Sequence, residues 1–197
     1  MLRITGGDLR GHSLRVPGGD GLWVRPTQAK LRQAIFNSIQ SRIAEARVLD
    51  LFAGSGVLGF EALSRGAKHA IFVEKNRATL RLIEENASNL GVIESITLIG
   101  EPVESAIKPM ISFGPYDIVL ADPPYDMGWE SRLLDQIPWD VILVEDGIFC
   151  LEWGHFKKGR SSFLPEQTRF LVKIRERLYG DSVLTTYART GHEHKKS

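Results

Sequence analysis

Residues 47–65, RVLDLFAGSGVLGFEALSR, constrain the fold more than any other stretch of this chain. Val48–Phe52 reads as a short apolar strand, Gly54 and Gly56 as a tight turn, and the following residues as a helix running to about Arg65. GSGVLG has the G-x-G-x-x-G spacing that lets backbone approach a ligand at the carboxyl edge of a parallel sheet. A strand passing through a glycine turn directly into a helix opens a βαβ unit, so the chain is committed to α/β architecture.

The alternation continues. Ala70–Val73 is a second strand closing on Glu74, and residues 76–90 form a helix with Leu80, Ile83 and Ala87 on one face. Ile96–Ile99 is a third strand, 103–111 a weaker helix, and Tyr116–Ala121 a fourth strand. A helix near 130–136 and a strand near 141–151 follow. Arg169–Ile174 and Val183–Ala188 read as an antiparallel pair around Tyr179-Gly180-Asp181. The expected body is a mostly parallel sheet covered by helices.

The start of the chain differs. Residues 1–24 carry three glycine clusters between short apolar pieces, expected as short strands and turns. Leu31, Ile35, Ile39 and Ile43 then recur at four-residue intervals on a helix beginning near Thr27. Arg3, Arg10, Arg15, Arg25, Lys30, Arg32, Arg42 and Arg47 face only Asp8, Asp20 and Glu45, so residues 1–47 are +5 in a chain of net charge +1. The boundary falls near Ala44–Arg47 and divides a basic extension, 1–46, from a body, 47–197. A basic arm on a mildly acidic body suits nucleic acid, although a solvated charged surface has the same composition.

No apolar run approaches the ~20 residues of a membrane span, and MLRITGGDLRG lacks the apolar stretch of a signal peptide. Cys150 is the single cysteine, and it sits in an apolar run as a buried, inert thiol. His69, His155, His192 and His194 show no zinc spacing beyond the tail pair. The expectation is a cytoplasmic monomer without a metal.

The glycine turn and Glu74, 20 residues after Gly54, indicate an adenosine-containing ligand, because an acid there accepts both ribose hydroxyls. Two features separate the candidates. Asp50, at the strand end, would repel pyrophosphate and suit a ligand with a cationic amino-acid end. Asp122-Pro123-Pro124-Tyr125 directly follows the fourth strand, at the same sheet edge as the glycine turn. The two prolines fix the backbone and remove two N–H donors. A carboxylate, rigid carbonyls and an aromatic face remain, which together hold a planar group bearing an amine.

RG at 10–11, RPT at 25–27, IFN at 35–37, VLDLFAGSGVLGFEALSRGA at 48–67, VE at 73–74, DPPY at 122–125 and YG at 179–180 occur in this order. The chain thereby resembles, over nearly its whole length, the S-adenosylmethionine-dependent 16S ribosomal RNA guanine-N2 methyltransferases of the RsmD type. It departs from their pattern at His12, where a second basic residue is usual, and at Gln28-Ala29-Lys30. The resemblance implies a Rossmann-like class I methyltransferase fold: a seven-stranded, mostly parallel sheet with an antiparallel C-terminal strand and a small N-terminal β/helix extension. For the catalytic residues it implies Asp122, Pro123, Pro124 and Tyr125. Asp122 and the Pro123 carbonyl would accept the N–H bonds of the amine, and Tyr125 would stack on the base. For S-adenosylmethionine it implies Phe52, Ala53, Gly54, Ser55 and Gly56 in the loop, Glu74 with Lys75 at the ribose, Asp50 near the amino group and Glu101 near the adenine.

Other residues read two ways. Glu101 also fits a surface loop acid, Thr27 a helix N-cap and Asn37 a polar residue on a buried helix, rather than cofactor contacts. Arg10, His12, Arg15, Arg25, Lys30 and Arg32 are the expected contacts to 16S RNA or the small ribosomal subunit; Trp23 fits a base stack or the core edge. A DNA adenine-N6 methyltransferase, a nicotinamide dehydrogenase and a non-catalytic RNA-binding protein remain the alternatives.

Overall fold

The computed structural model describes residues 2–18, 26–125, 127–154 and 164–190, with only the backbone at 26–28. Trp23, Arg25, His155, His192 and His194, together with the side chain of Thr27, lie outside the described residues.

Seven strands form one sheet: β3 (Arg47–Asp50), β4 (His69–Val73), β5 (Ile96–Ile99), β6 (Tyr116–Ala121), β7 (Leu143–Gly154), β8 (Leu171–Tyr179) and β9 (Ser182–Arg189), in the order β5-β4-β3-β6-β7-β9-β8. The pairs from β5 to β7 are parallel, and β9 runs antiparallel to both β7 and β8. The order reverses between β3 and β6. Their following loops therefore diverge and leave a crevice at the carboxyl edge.

The strands are nearly continuous apolar runs because both faces of the sheet are covered. Leu49, Ile71, Val119, Phe149 and Leu151 pack on one face with Met110 of α5 (Ile107–Phe113), Leu133 of α6 (Trp129–Gln136) and Trp139 of α7 (Trp139–Ile142). Val48, Ile118, Leu120, Ile148 and Cys150 pack on the other with α1 (Pro26–Ser38), α2 (Gln40–Ile43) and α3 (Val57–Ser64). Beside them Ala70 and Phe72 meet Ile83 of α4 (Arg77–Asn89), whose N-terminus is capped by the Asn76 side chain accepting from Ala78 and Thr79 N–H. The helix expected from Thr27 is two pieces that break at Ile39, yet Leu31, Ile35, Ile39 and Ile43 all stay buried. The expected 103–111 helix starts only at Ile107, and the residues before it form turns.

The extension supplies a two-stranded sheet, β1 (Leu2–Arg3) with β2 (Ser13–Leu14). Leu2, Ile4 and Leu14 share a core with Phe60 and Phe72 of the body. A buried carboxylate fastens this contact. Glu61 on α3 accepts from Thr5 N–H at 2.7 Å, Thr5 Oγ1 at 2.7 Å and Arg65 Nε at 2.9 Å, with Arg32 Nε 3.6 Å away. Arg32 also donates to the Arg3 carbonyl. This corrects the expectation that Arg32 contacts RNA: it is 5% exposed and serves as an internal strut. Burial pulls its pKa below the usual value, against the opposing pull of Glu61. Asn37, on α1, is exposed and is not among the residues that line the cavity described below.

Removing Glu61 strands a buried guanidinium, which costs about 3–5 kcal/mol. Glu61→Ala is therefore expected to lower the urea-unfolding free energy by about that amount, with an equilibrium denaturation curve as the measurement.

Candidate active site

One cavity of about 580 Å³ opens at the carboxyl edge where the strand order reverses. Four loops build it: Leu51, Phe52 and Gly54 after β3; Glu74 and Lys75 after β4; Glu101 to Glu104 after β5; and Asp122 to Tyr125 after β6. Trp129 and Arg132 of α6 close one side. Phe52 meets Trp129 edge-on at 4.9 Å, and the Arg132 guanidinium lies 5.3 Å from the Trp129 ring, giving an apolar wall.

The glycine turn owes its shape to steric limits. Gly56 has φ +79°, and a Cβ there would lie 2.7 Å from the Phe60 ring. Gly54, φ +51°, meets only the Phe52 carbonyl at 3.9 Å, so its outer side is open for a ligand. Its N–H donates to Glu74 Oε2 at 3.0 Å, while Asn76 N–H donates to Oε1 at 2.7 Å. Both oxygens of Glu74 are thus oriented, and each keeps acceptor capacity for a hydroxyl. Ala53 is buried in the core behind the loop and Gly56 lies beneath it; among the loop residues expected at the cofactor, Phe52 and Gly54 face the cavity.

Asp50 is 1% exposed. Its Oδ2 accepts the Gly59 N–H at 3.2 Å, one of the unpaired donors in the first turn of α3. Its Oδ1 is buried without a partner among the described residues. Burial, opposed by backbone hydrogen bonds from Gly59 and Phe52, raises its pKa to about 7.

Asp122 lines the cavity and is exposed there. Desolvation, then the negative charges of Glu152 and Asp50, raise it to about 7. Tyr125 is 44% exposed, and its ring lies against Gly154, where a Cβ would come within 3.3 Å of it. Its hydroxyl donates to Glu152 Oε1 at 2.9 Å and lies 3.0 Å from Ser182 Oγ.

Glu152, on β7, is absent from the sequence reading, although a lone acid in the apolar run IFCLEWG is a signal. So are Trp129 and Arg132. No group of His, Cys, Asp and Glu suited to a metal occurs among the described residues. Of the expected RNA contacts, Arg10, His12 and Lys30 are exposed, and Arg15 pairs with Glu85 at 2.9 Å on the surface.

The cavity is lined by Glu74, Glu101, Glu104 and Asp122 against Lys75 and Arg132. Such a lining repels pyrophosphate and attracts a cation. S-adenosylmethionine fits: it has a sulfonium, an ammonium for the acidic edge beside Asp50, and a ribose for Glu74. When bound, it supplies an electrophilic methyl whose bond to sulfur breaks as a nucleophile attacks, leaving the bonding electrons on sulfur.

Two carboxyls held near 7 contribute to how stability depends on pH. Each binds a proton more tightly folded than unfolded, so stability contributed by the protonated forms is lost as pH rises from about 4 through about 7. Asp122→Asn removes one such charge. It is expected to raise the ligand-free thermal midpoint at pH 8 by about 2 °C, with the gap closing at pH 4; scanning calorimetry at both pH values measures it.

Known proteins resemble this chain in sequence and fold. The family model described as conserved hypothetical protein 95 matches residues 2–188. The Bacillus subtilis protein YlbH is 32% identical over 191 residues, covering 96% of this chain and 100% of its own length. Ribosomal RNA small subunit methyltransferase D of Escherichia coli K12 is 34% identical over 158 residues, 77% of this chain and 74% of the relative. The solved structure of Escherichia coli yhhF superposes with a TM-score of 0.77 at 32% identity, covering 97% of this chain and 99% of that one. The chain belongs to the conserved hypothetical protein 95 family, the RsmD-type S-adenosylmethionine-dependent methyltransferases.

Proposed function

We propose that this chain methylates the exocyclic N2 amine of a guanine in small-subunit ribosomal RNA, using S-adenosylmethionine. The observation that carries this reading is the grouping of Asp122, the two prolines and Tyr125 in one cavity with Glu74 and Gly54. The relative named for small-subunit ribosomal RNA supports the substrate, as do the exposed Arg10, His12 and Lys30 of the basic extension.

The lone pair of a guanine N2 amine is delocalised into the ring, so the nitrogen is a weak nucleophile. Asp122 and the Pro123 carbonyl accept its two N–H bonds and draw it towards tetrahedral geometry. Pro123 is buried and both prolines fix φ, so the carbonyl keeps its direction without reorganisation. Tyr125 offers its ring to the base, a contact worth ~1–3 kcal/mol. Asp122, with a proton affinity near neutrality, takes the proton that the methylated nitrogen releases. The remaining rate enhancement comes from positioning. A base in structured RNA has to be turned out of its stack to enter.

Asp122→Ala is expected to lower methyl transfer to small-subunit RNA by about 100-fold or more, with calorimetric affinity for S-adenosylhomocysteine nearly unchanged. Mass analysis of the nucleosides identifies the product: N2-methylguanosine is expected. Methyl found only in DNA, or transfer untouched by the substitution, contradicts the reading.

A further inference from the structure

Glu152 takes no part in the chemistry above, yet it is 8% exposed, carries an ionisable group and sits beside the reacting residues. The sheet register explains its place. β6 pairs with β7 at Leu120↔Cys150 and Ala121↔Leu151. One step further along both strands, Asp122 stands opposite Glu152. On the other side Glu152 is paired with Leu184 of β9, and Gly154 with Ser182. Tyr125 crosses Gly154 to reach the Glu152 carboxylate at 2.9 Å and the Ser182 hydroxyl at 3.0 Å.

Two tasks meet in this one side chain. The Tyr125–Glu152 bond fixes the rotation of an otherwise exposed ring, and the absence of a Cβ at Gly154 lets the ring pack closely over the strand. The buried Glu152 carboxyl also stands next to Asp122. The ionisable groups facing Asp122 are Glu152 from β7 and Asp50 from β3; those facing Glu152 are Asp122 and the phenol of Tyr125, with the Ser182 hydroxyl beside them. Glu74 acts in turn on Asp50. Burial raises the pKa of Glu152, opposed by hydrogen bonds from the Tyr125 and Ser182 hydroxyls, whereas no hydrogen bond opposes the rise at Asp122. Burial holds the Tyr125 phenol far above its ordinary pKa, so it remains a donor throughout. Protons at this pair therefore reside on Asp122 in preference to Glu152.

We propose that Glu152 is the positioning residue of the methyl-transfer centre: it orients the Tyr125 ring through the phenol and, as the carboxyl standing beside Asp122, favours Asp122 as the proton acceptor. This rests on the function proposed above only for what enters the cavity. The N–H bond of the methylated amine breaks, its electrons stay on nitrogen, and the proton forms an O–H bond on Asp122.

Two variants and a ligand-free readout test it. The Asp122 carboxyl is titrated by carbon-13 NMR in the wild-type protein, Glu152→Gln and Glu152→Asp, and KM and kcat for small-subunit RNA are measured on each. Removing the negative neighbour favours ionised Asp122, so E152Q is expected to lower the midpoint by about one pH unit and to move the acid limb of kcat down with it. E152D keeps the charge but withdraws it from Tyr125. Its midpoint is expected to stay with the wild type while KM for RNA rises about fivefold. An E152Q midpoint equal to the wild type overturns the proposal, and so does an E152D midpoint that falls with E152Q. If E152Q does not fold, E152D decides alone: an unchanged KM overturns the proposal. Wild-type protein that makes no N2-methylguanosine refutes the functional reading instead, and the ligand-free titration separates the two failures.

Discussion

Carboxylates crowded along one edge of a parallel sheet are the constraint around which this molecule is arranged. β3, β6 and β7 lie side by side, and their apolar runs lead to Asp50, Asp122 and Glu152; β4 and β5 lead to Glu74 and Glu101. Parallel strands bring their carboxyl ends to the same side, so five acids converge on one edge, with Asp50 and Glu152 buried among them. Like charges in such a place repel by several kcal/mol unless each is satisfied or protonated. Three accept hydrogen bonds in different ways. Asp50 takes an N–H from α3, Glu74 takes backbone N–H groups from both sides, and Glu152 takes the Tyr125 hydroxyl. Asp122 lacks such a donor among the described residues and has a raised proton affinity, which suits the role proposed for it.

A sheet with exposed faces could not hold this edge in place. Both faces are sealed by apolar helices, and the same alternation that buries Val48, Leu120 and Cys150 sets the direction of Asp50, Asp122 and Glu152 two residues later. Register thus converts hydrophobic packing into electrostatic geometry. The Glu61 strut serves the same end from outside. It fastens the extension to α3, whose first turn supplies the Asp50 partner.

How much of this was legible in the sequence depends on how local the cause is. The glycine turn, Glu74 and Asp122–Tyr125 were readable because each sits in a strand-to-loop signal a few residues long. Glu152 was not, because its meaning comes from the register between β6 and β7, some thirty residues apart in the chain, and from Tyr125 reaching across Gly154. Arg32 misled for the reverse reason. It is one of several cations in a basic segment, and only the tertiary contact with Glu61 shows that it is buried. Asn37 belongs to a helix with one buried stripe, and its position lies off that stripe.

The charge distribution also limits how a polyanion can meet this site. An acidic cavity that attracts a sulfonium repels phosphate with the same field. An RNA backbone therefore cannot follow its base inwards, and only an uncharged, unstacked base is admitted. Under the proposed function the phosphates are met elsewhere, on surfaces such as residues 1–47, which sum to +5, where counterion release makes affinity fall steeply with salt. Separating the two tasks lets a chain of net charge +1 bind a cation and a polyanion at once, without either ligand neutralising the site of the other.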